Sequence, residues 1–178
     1  MAFLVPAAER LLRIGSEYRP GGNVGMLVLS PTRELVCQIG DQAERLLRYH
    51  PDLLVQVMYG GTKMGRDTGA LGRHLPMVLV ATPGRLLDNL EGGTGTITKI
   101  HGRKFADIVG DVRIVVLDET DRLLNAGFRT EVRKILTYLP RREKRQTLLF
   151  SATLPESLRS VMADAMRNDF AEVDCIEA

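Results

Sequence analysis

Five short apolar runs, each ending in a polar loop, constrain the fold of this chain more than any other feature. The runs are MLVLSP (26–31), LLVQVMYG (53–60), MVLVATP (77–83), RIVVLDE (113–119) and QTLLFSAT (146–153). They are apolar on both faces, as strands must be when helices cover both sides of a sheet. Between them lie amphipathic segments whose apolar residues recur every three or four positions, which predicts helices. The predicted helices span residues 34–49, 63–74, 83–90, 129–139 and 155–167.

This alternation of strand and helix predicts an α/β fold with a mostly parallel sheet flanked by helices. The chain has 178 residues, of which 44% are hydrophobic and 26% charged, so it fits one globular domain. Its net charge of +2 is too small to indicate a nucleic-acid partner by itself. The basic run at 141–145 is typical of a solvated face.

Cysteine content and hydropathy narrow the cellular setting. Cys37 and Cys175 lie far apart and outside any metal-ligand spacing, which is typical of a reducing compartment. No apolar run approaches the roughly 20 residues that a membrane span needs. We therefore expect an intracellular protein without a membrane partner, and the sequence leaves nucleus, nucleolus, cytoplasm and organelle open.

The polar loops after the five predicted strands are SPTRE, YGGT, ATPGR, LDETD and FSAT. In a parallel sheet the carboxyl ends of the strands share one edge, and ligands bind there. The five loops should therefore lie together, at a place that we call the carboxyl edge. One such loop is ordinary turn chemistry, but five together predict a binding site.

The loop LDETD places three acidic residues within four positions. Asp118, where the strand ends, could hold Mg²⁺ through water, because Mg²⁺ gives up its hydration shell reluctantly. Glu119 beside it could orient or deprotonate an attacking water, and Asp121 lies one helical turn further on. The same acids would also suit the N-terminus of a following helix, whose dipole favours negative charge. The loop alone does not decide between these two functions.

In the loop FSAT, Ser151 and Thr153 are two residues apart, so their hydroxyls point the same way in an extended strand end. They could hydrogen-bond to the acids of the neighbouring loop and respond to the nucleotide state. The alternative is a Ser/Thr turn before a helix, with Thr153 near the N-cap and Pro155 at the start of the helix.

The loops PTRE (31–34) and TPGR (82–85) each begin a predicted helix and present backbone N–H groups, a hydroxyl and an arginine. These groups suit a phosphodiester backbone. Gly60 and Gly61 would let another backbone approach closely. The chain has no Trp and only 5% aromatic residues, which favours backbone recognition over base stacking. Each loop taken singly also fits an ordinary strand-to-helix connection with proline at the first helical position.

In this order and at these spacings, PTREL, a GG pair, TPGR, LDETD and SAT resemble the first RecA-like domain of the DEAD-box RNA helicases. The stretch LDETDRLLNAGFR (117–129) is especially similar to that family's name-giving region, and AFLVP (2–6) resembles the segment after its phosphate loop. The resemblance covers nearly the whole chain. It implies a sheet of the P-loop NTPase type and an ATP-dependent helicase that unwinds RNA duplexes or remodels RNA–protein complexes.

The resemblance also implies roles for individual residues. Asp118 would bind Mg²⁺ through water and Glu119 would activate the attacking water, while Asp121, Ser151 and Thr153 would couple hydrolysis to RNA binding. The implied contacts to the RNA backbone are Pro31, Thr32, Arg33, Glu34, Gly61, Thr82, Gly84, Arg85, Gly127 and Phe128. ATP is the implied nucleotide, and a second RecA-like domain is the implied partner across the RNA cleft.

Two features depart from the family pattern. Thr120 stands where the family has alanine, and we expect this one hydroxyl to have a modest effect at most. The second departure is larger, because the Gly-rich phosphate loop that ends in Lys-Thr is not found in the 178 residues. The one similar stretch, Gly93–Gly95, lacks the Lys-Thr ending and cannot substitute for that loop. The second RecA-like domain is missing as well.

These departures predict a partial helicase ATP-binding domain over residues 1–178. ATP and Mg²⁺ would belong to the intact parent protein, and the 178 residues alone would neither bind ATP appreciably nor hydrolyse it. The strand before the phosphate loop, which normally lies beside the strand that carries SAT, would be missing from the sheet. Residues 171–176 would normally form a strand on the far side of that missing strand.

Two other functions stay open at this point. A non-catalytic module could use the same loops to hold an RNA backbone without hydrolysing ATP. A related helicase or translocase could act on DNA, because contacts to a phosphate backbone do not report the identity of the bases.

Overall fold

The structure, a computed structural model, describes residues 2–14, 22–92 and 99–175. Five strands form one sheet within these ranges, and all of their pairings are parallel. The strands are β1 (Met26–Leu29), β2 (Val55–Met58), β3 (Val78–Ala81), β4 (Ile114–Leu117) and β5 (Gln146–Leu149). Their order across the sheet is β2-β3-β1-β4-β5. The predicted α/β fold with a parallel sheet is confirmed.

Helices cover both faces of this sheet. They are α1 (Leu4–Ile14), α2 (Arg33–Leu47), α3 (Met64–Arg73), α4 (Pro83–Glu91), α5 (Phe105–Val109), α6 (Thr120–Asn125), α7 (Arg129–Tyr138) and α8 (Glu156–Ala165), with a 3-10 helix at Arg142–Lys144. The five predicted helices are all present, with ends that differ by at most two residues. Periodicity did not reveal α5 and α6, because helices of five and six residues are too short to show it. No helix within the described ranges is both long and apolar enough to cross a bilayer.

The strands are shorter than their apolar runs predicted, and the polar end of each run lies outside the sheet. The predicted strand at 146–153 ends at Leu149, so Ser151 and Thr153 are loop residues. The prediction of a strand at 171–176 is wrong over its described part, because residues 171–175 have no strand pairing. Ile176 and the Gly93–Gly95 stretch lie outside the described residues.

The three central strands, β1, β3 and β4, are buried on both faces, as their continuous apolar runs predicted. Alternate side chains pack into two separate cores. Leu27, Val115 and their equivalents face α3, α4, α5, α7 and α8, whereas Val28 and Val116 face α1 and α2. Fully burying one such side chain contributes about 1.5–3 kcal/mol, so the two cores hold the central strands in place.

The turns from strand to helix follow from single residues. The Thr32 hydroxyl accepts a hydrogen bond from the Leu35 backbone N–H at 3.3 Å and caps α2. Pro83 occupies the first position of α4, where its missing N–H costs nothing. Gly92 ends the same helix in the left-handed conformation, with a φ of 74° that favours glycine. Thr32 and Pro83 therefore start their helices immediately beside the carboxyl edge, whereas Gly92 ends α4 at its other end.

The carboxyl ends of all five strands are level. Leu29 pairs with Ala81 on one side and with Leu117 on the other. Ala81 pairs with Met58, and Leu117 pairs with Leu149. The polar loops therefore leave the sheet side by side, in the spatial order YGGT, TPGR, SPTRE, LDETD and FSAT. The predicted carboxyl edge is present. It consists of a three-loop part, formed by YGGT, TPGR and SPTRE, and a two-loop part, formed by LDETD and FSAT.

Strand β5 pairs with β4 on one side, and within the described ranges no strand pairs with its other side. Its residues are correspondingly half-buried, unlike those of the central strands. An open groove of about 1340 Å³ runs along this side of β5 and reaches the carboxyl edge. The acidic loop and the FSAT loop both line it.

A buried ion pair joins α3 to α4. Arg85 Nε donates to Asp67 Oδ2 at 2.6 Å, and the two side chains are 6% and 3% exposed. Arg85 Nη2 also donates to Thr62 Oγ1 at 3.4 Å. The pair thereby connects the N-terminal turns of both helices to the YGGT loop. Breaking a buried pair on one side leaves an uncompensated charge, which destabilises the fold strongly.

We predict that Arg85→Ala lowers the free energy of unfolding by about 3–5 kcal/mol, because the Asp67 carboxylate would stay buried without a cation. Equilibrium unfolding in urea measures the change. Arg73→Ala is the matched control, since Arg73 is an exposed arginine at the other end of α3 and should change stability by no more than about 0.5 kcal/mol. Equal losses for the two variants would contradict this prediction.

Candidate functional site

Asp118 begins the acidic part of the carboxyl edge, directly after β4. Its backbone N–H donates to the Leu29 carbonyl at 2.9 Å, which fixes it against the neighbouring strand. Burial raises the pKa of the Asp118 carboxyl, and the adjacent charge of Glu119 raises it further. The ionised form is therefore costly here without a nearby cation. A bound cation would offset that cost, as expected of a metal-binding carboxylate.

Glu119 adopts a strained backbone conformation. Its φ of 48° and ψ of 52° lie in the left-handed region, which glycine tolerates and glutamate rarely adopts. Such strain costs on the order of 1–3 kcal/mol and is concentrated at functional sites. Glu119 stands at the N-cap of α6, but its side chain accepts no capping hydrogen bond and instead accepts one from Arg122 Nη1 at 3.0 Å. Helix capping therefore does not explain this residue.

Thr120 connects the acidic loop to the FSAT loop. Its backbone N–H donates to the Phe150 carbonyl at 2.9 Å. Its side-chain oxygen lies 3.0 Å from the Leu117 carbonyl and 3.1 Å from the Phe150 carbonyl, so the single hydroxyl hydrogen has two acceptors. The side chain is 1% exposed, and the hydroxyl that departs from the family pattern is buried with its hydrogen bond satisfied.

Asp121 joins the same two loops by its backbone and its side chain. Its N–H donates to Ser151 Oγ at 3.2 Å, and its Oδ2 accepts from Thr153 Oγ1 at 3.3 Å. The Ser151 hydroxyl in turn donates to the Thr153 carbonyl at 2.7 Å. The predicted contact between a hydroxyl and a neighbouring acid is therefore present. Pro155 stands at the start of α8 as its N-cap, and Thr153 lies two residues before it, so the turn that precedes the helix is present as well.

The acidic loop suits a hydrated Mg²⁺ better than a metal held by protein ligands alone. Among the described residues there is no group of three or more His, Cys, Asp or Glu side chains arranged to hold a metal. Asp118 and Glu119 supply two adjacent carboxylates at the mouth of the open groove. Mg²⁺ usually takes one or two carboxylates, with waters and substrate phosphates as its other ligands. The donor set fits that arrangement.

The other part of the carboxyl edge presents cations and open backbone. Arg33, the first residue of α2, is exposed. Gly61 has a φ of 82°, and a Cβ atom at that position would lie 2.9 Å from Arg33 Nη1. A side chain at Gly61 would therefore be strained and would push against Arg33. Glycine keeps the loop low enough for a ligand and the arginine to share this surface.

The loop TPGR contributes backbone groups more than charge. Thr82 and Arg85 are 8% and 7% exposed, and Pro31 in the neighbouring loop is also buried. The Arg85 guanidinium faces Asp67, so it does not share the exposure of Arg33. Sequence reasoning missed Asp67, since a lone acid in a predicted helix is typical of a solvated face. Only the folded structure brings it to Arg85.

Gly127 and Phe128 reach the same part of the edge from the end of α6. Gly127 takes a left-handed φ of 85°. Phe128 is half-buried against one core, and its Cε1 lies 4.0 Å from where a Cβ at Gly84 would be. Glu34 is exposed beside Arg33. The residues predicted for the RNA backbone thus cluster around the ends of β1 to β3, apart from the acidic loop after β4 and the FSAT loop after β5.

Comparisons with known proteins give matches over nearly the whole chain. A family model described as DEAD/DEAH box helicase matches residues 1–161. DEAD-box ATP-dependent RNA helicase 26 of Oryza sativa subsp. japonica is 41% identical over 177 residues, which is 99% of this chain and 30% of that protein. DEAD-box ATP-dependent RNA helicase 25 of Arabidopsis thaliana is 38% identical over 179 residues, again 99% of this chain and 30% of the relative.

A solved structure shows the same fold. Mss116p, with a double deletion of its NTE and C-tail and bound to ssRNA and AMP-PNP, matches with a TM-score of 0.73 and 28% identity. The match covers 93% of this chain and 32% of that one. The chain therefore spans about a third of the length of these relatives, and its sheet is RecA-like, as the resemblance implied. Matched by the family model over most of its length, the chain belongs to the DEAD/DEAH box helicase family.

Proposed function

We propose that this chain is the first RecA-like domain of an ATP-dependent RNA helicase of the DEAD-box type. The observation that carries the proposal is the set of hydrogen bonds between the acidic loop and the FSAT loop, on the same edge as the loops PTRE and TPGR. A change at the nucleotide can therefore pass through Asp121, Ser151 and Thr153 along hydrogen bonds that already exist. The adjoining strands β1 and β4 connect that region rigidly to the loops that would hold RNA.

We call the two-loop part of the carboxyl edge, formed by LDETD and FSAT, the nucleotide half; in it Asp118 and Glu119 have distinct functions. Mg²⁺ bound with ATP would neutralise charge on the phosphate oxygens. Asp118 would hold the ion through water. The raised pKa of its carboxyl shows that its charge is unfavourable in the folded chain, and a cation would offset that free-energy cost. Glu119 would orient the attacking water and accept its proton. Its left-handed backbone directs this side chain from the start of α6 without using it as a cap.

We call the three-loop part of the carboxyl edge, formed by YGGT, TPGR and SPTRE, the RNA half; the contacts proposed there are to phosphates. Thr32, Arg33, Gly61, Thr82 and Gly84 would supply a cation, hydroxyls and backbone N–H groups, none of which reads a base. The solved relative Mss116p was captured with ssRNA, and this chain shares its fold. Arg85 would act indirectly, because its buried pair with Asp67 holds the start of α4 in position.

The whole protein would do more than these residues can. The curated relatives are about three times as long as this chain. We propose that the complete enzyme couples ATP hydrolysis to RNA duplex unwinding or RNA–protein remodelling, with a second RecA-like domain closing the RNA cleft. We also propose an intracellular location.

We expect the 178 residues alone not to bind ATP appreciably, because they contain no Gly-rich loop ending in Lys-Thr to hold the β- and γ-phosphates. Isothermal titration calorimetry with Mg²⁺ and ATP tests this. A micromolar affinity would refute the prediction and would mean that other contacts hold the nucleotide.

We predict that Arg33→Ala weakens binding of a single-stranded RNA and lowers the salt dependence of its affinity. Losing one phosphate contact should reduce the slope of log K against log salt by about 0.7. Arg48→Ala is the matched control, because Arg48 is an exposed arginine at the opposite end of α2. Equal binding by both variants would contradict RNA contact through this loop.

A DNA of the same length distinguishes an RNA helicase from a DNA translocase.

We predict that Asp118→Asn raises the melting temperature at neutral pH. The pKa of Asp118 is higher in the folded chain than its ordinary value of 3.8, so folding favours the protonated form. The stability that the protonated carboxyl contributes is fully present below pH 3.8 and is lost as the pH rises through the pKa of the folded chain. The gain from asparagine should therefore be largest near pH 7 and shrink as the pH falls towards 3.8. Asp52→Asn on the exposed surface is the control, and equal gains for both would refute the prediction.

A further inference from the structure

Tyr59 holds two arginines at the RNA half of the carboxyl edge. The guanidinium carbons of Arg33 and Arg66 lie 5.5 Å and 5.3 Å from the centre of the Tyr59 ring, within the range of cation–π attraction. Arg66 Nη1 also donates to the Tyr59 hydroxyl at 3.0 Å. The three residues come from different elements: the start of α2, the loop after β2 and the first turn of α3.

Among the residues that the structure describes, neither guanidinium group has a carboxylate partner. Within the described residues no Asp or Glu oxygen lies within 4.0 Å of Arg33 or Arg66, whereas Arg122, Arg133 and Arg167 each have one. The acid next to Arg66 in the sequence is Asp67, but its buried carboxylate forms an ion pair with Arg85. The hydrogen bond to Tyr59 also raises the pKa of the Arg66 guanidinium. The result is an exposed, doubly positive surface that an anion can reach.

The surface adjoins the loop that is most open to a polymer backbone. Gly61 lies against Arg33 in the left-handed conformation, with a φ of 82°, and as a glycine it places no side chain over the loop. A nucleic-acid strand that approaches Gly61 would therefore meet Arg33 and Arg66 together. An arginine held by stacking loses less conformational freedom on binding than a free one, so pre-positioning favours phosphate contact.

We propose that Arg66 is a second phosphate-binding arginine, positioned by Tyr59, and that it binds the backbone of single-stranded RNA beside Arg33. The proposal rests on the RNA-binding function proposed above and adds a residue to it. Tyr59 is a positioning residue, since its hydroxyl and ring act on Arg66 and Arg33. Sequence reasoning did not find either residue, because the ring and both cations meet only in the folded chain.

Filter binding of a labelled single-stranded RNA across a salt series tests the proposal on the 178-residue chain. Arg66→Ala should weaken binding by roughly threefold or more and lower the salt slope by about 0.7. Arg73→Ala on the same helix is the control and should leave both values unchanged. Tyr59→Phe keeps the ring and the net charge but removes the hydroxyl, so it should weaken binding without altering the salt slope as Arg66→Ala does. Melting temperatures show that each variant is folded.

The outcomes separate this proposal from the function on which it rests. If Arg33→Ala weakens binding while Arg66→Ala matches Arg73→Ala, Arg66 is not a phosphate contact, and the RNA-binding function stands. If Arg66→Ala lowers the melting temperature but not the affinity, the residue only packs on Tyr59, and the proposal is overturned. If the unaltered chain binds no RNA, or if neither Arg33→Ala nor Arg66→Ala weakens binding, the RNA contact proposed for these loops and this inference fail together.

Discussion

The level, parallel pairing of β4 with β1 and β5 is the constraint on which the site depends. Because Leu117 pairs with both Leu29 and Leu149, the chain leaves all three strands at the same height. The Asp118 N–H then extends this ladder by one more bond, to the Leu29 carbonyl. A shift of one residue in either pairing would turn the alternating side chains to the opposite core and displace the acids from the carboxyl edge.

The acidic loop combines two energetically unfavourable local features with a fully buried strand that supports it. Burial of the Asp118 carboxylate and the left-handed backbone of Glu119 both cost free energy in the folded chain. The fully buried strand β4 beneath them contributes in the opposite direction. Thr120 and Asp121 bind the acidic loop to the FSAT loop, so the strained residues keep a defined geometry. Such a site favours function over maximal stability.

Three arginines at the carboxyl edge show how surroundings decide the use of one residue type. Arg85 is buried against Asp67 and stabilises the junction of α3 and α4. Arg33 and Arg66 are exposed, stack on Tyr59 and have no acid within ion-pair distance in the described structure. An arginine paired in the core cannot bind a phosphate, whereas an unpaired and pre-positioned arginine is suited to one. The sequence motif TPGR alone does not reveal this difference.

The sequence by itself determined the α/β class, the positions of the long helices and the set of polar loops, because apolar periodicity and Gly–Pro punctuation are local signals. It also identified the family through the order of its motifs. The tertiary structure alone decided the strand order, the burial of Arg85 by Asp67 and the meeting of Arg66 with Tyr59. These contacts join residues that are distant in the chain or on separate elements, and no local pattern encodes which of them will touch.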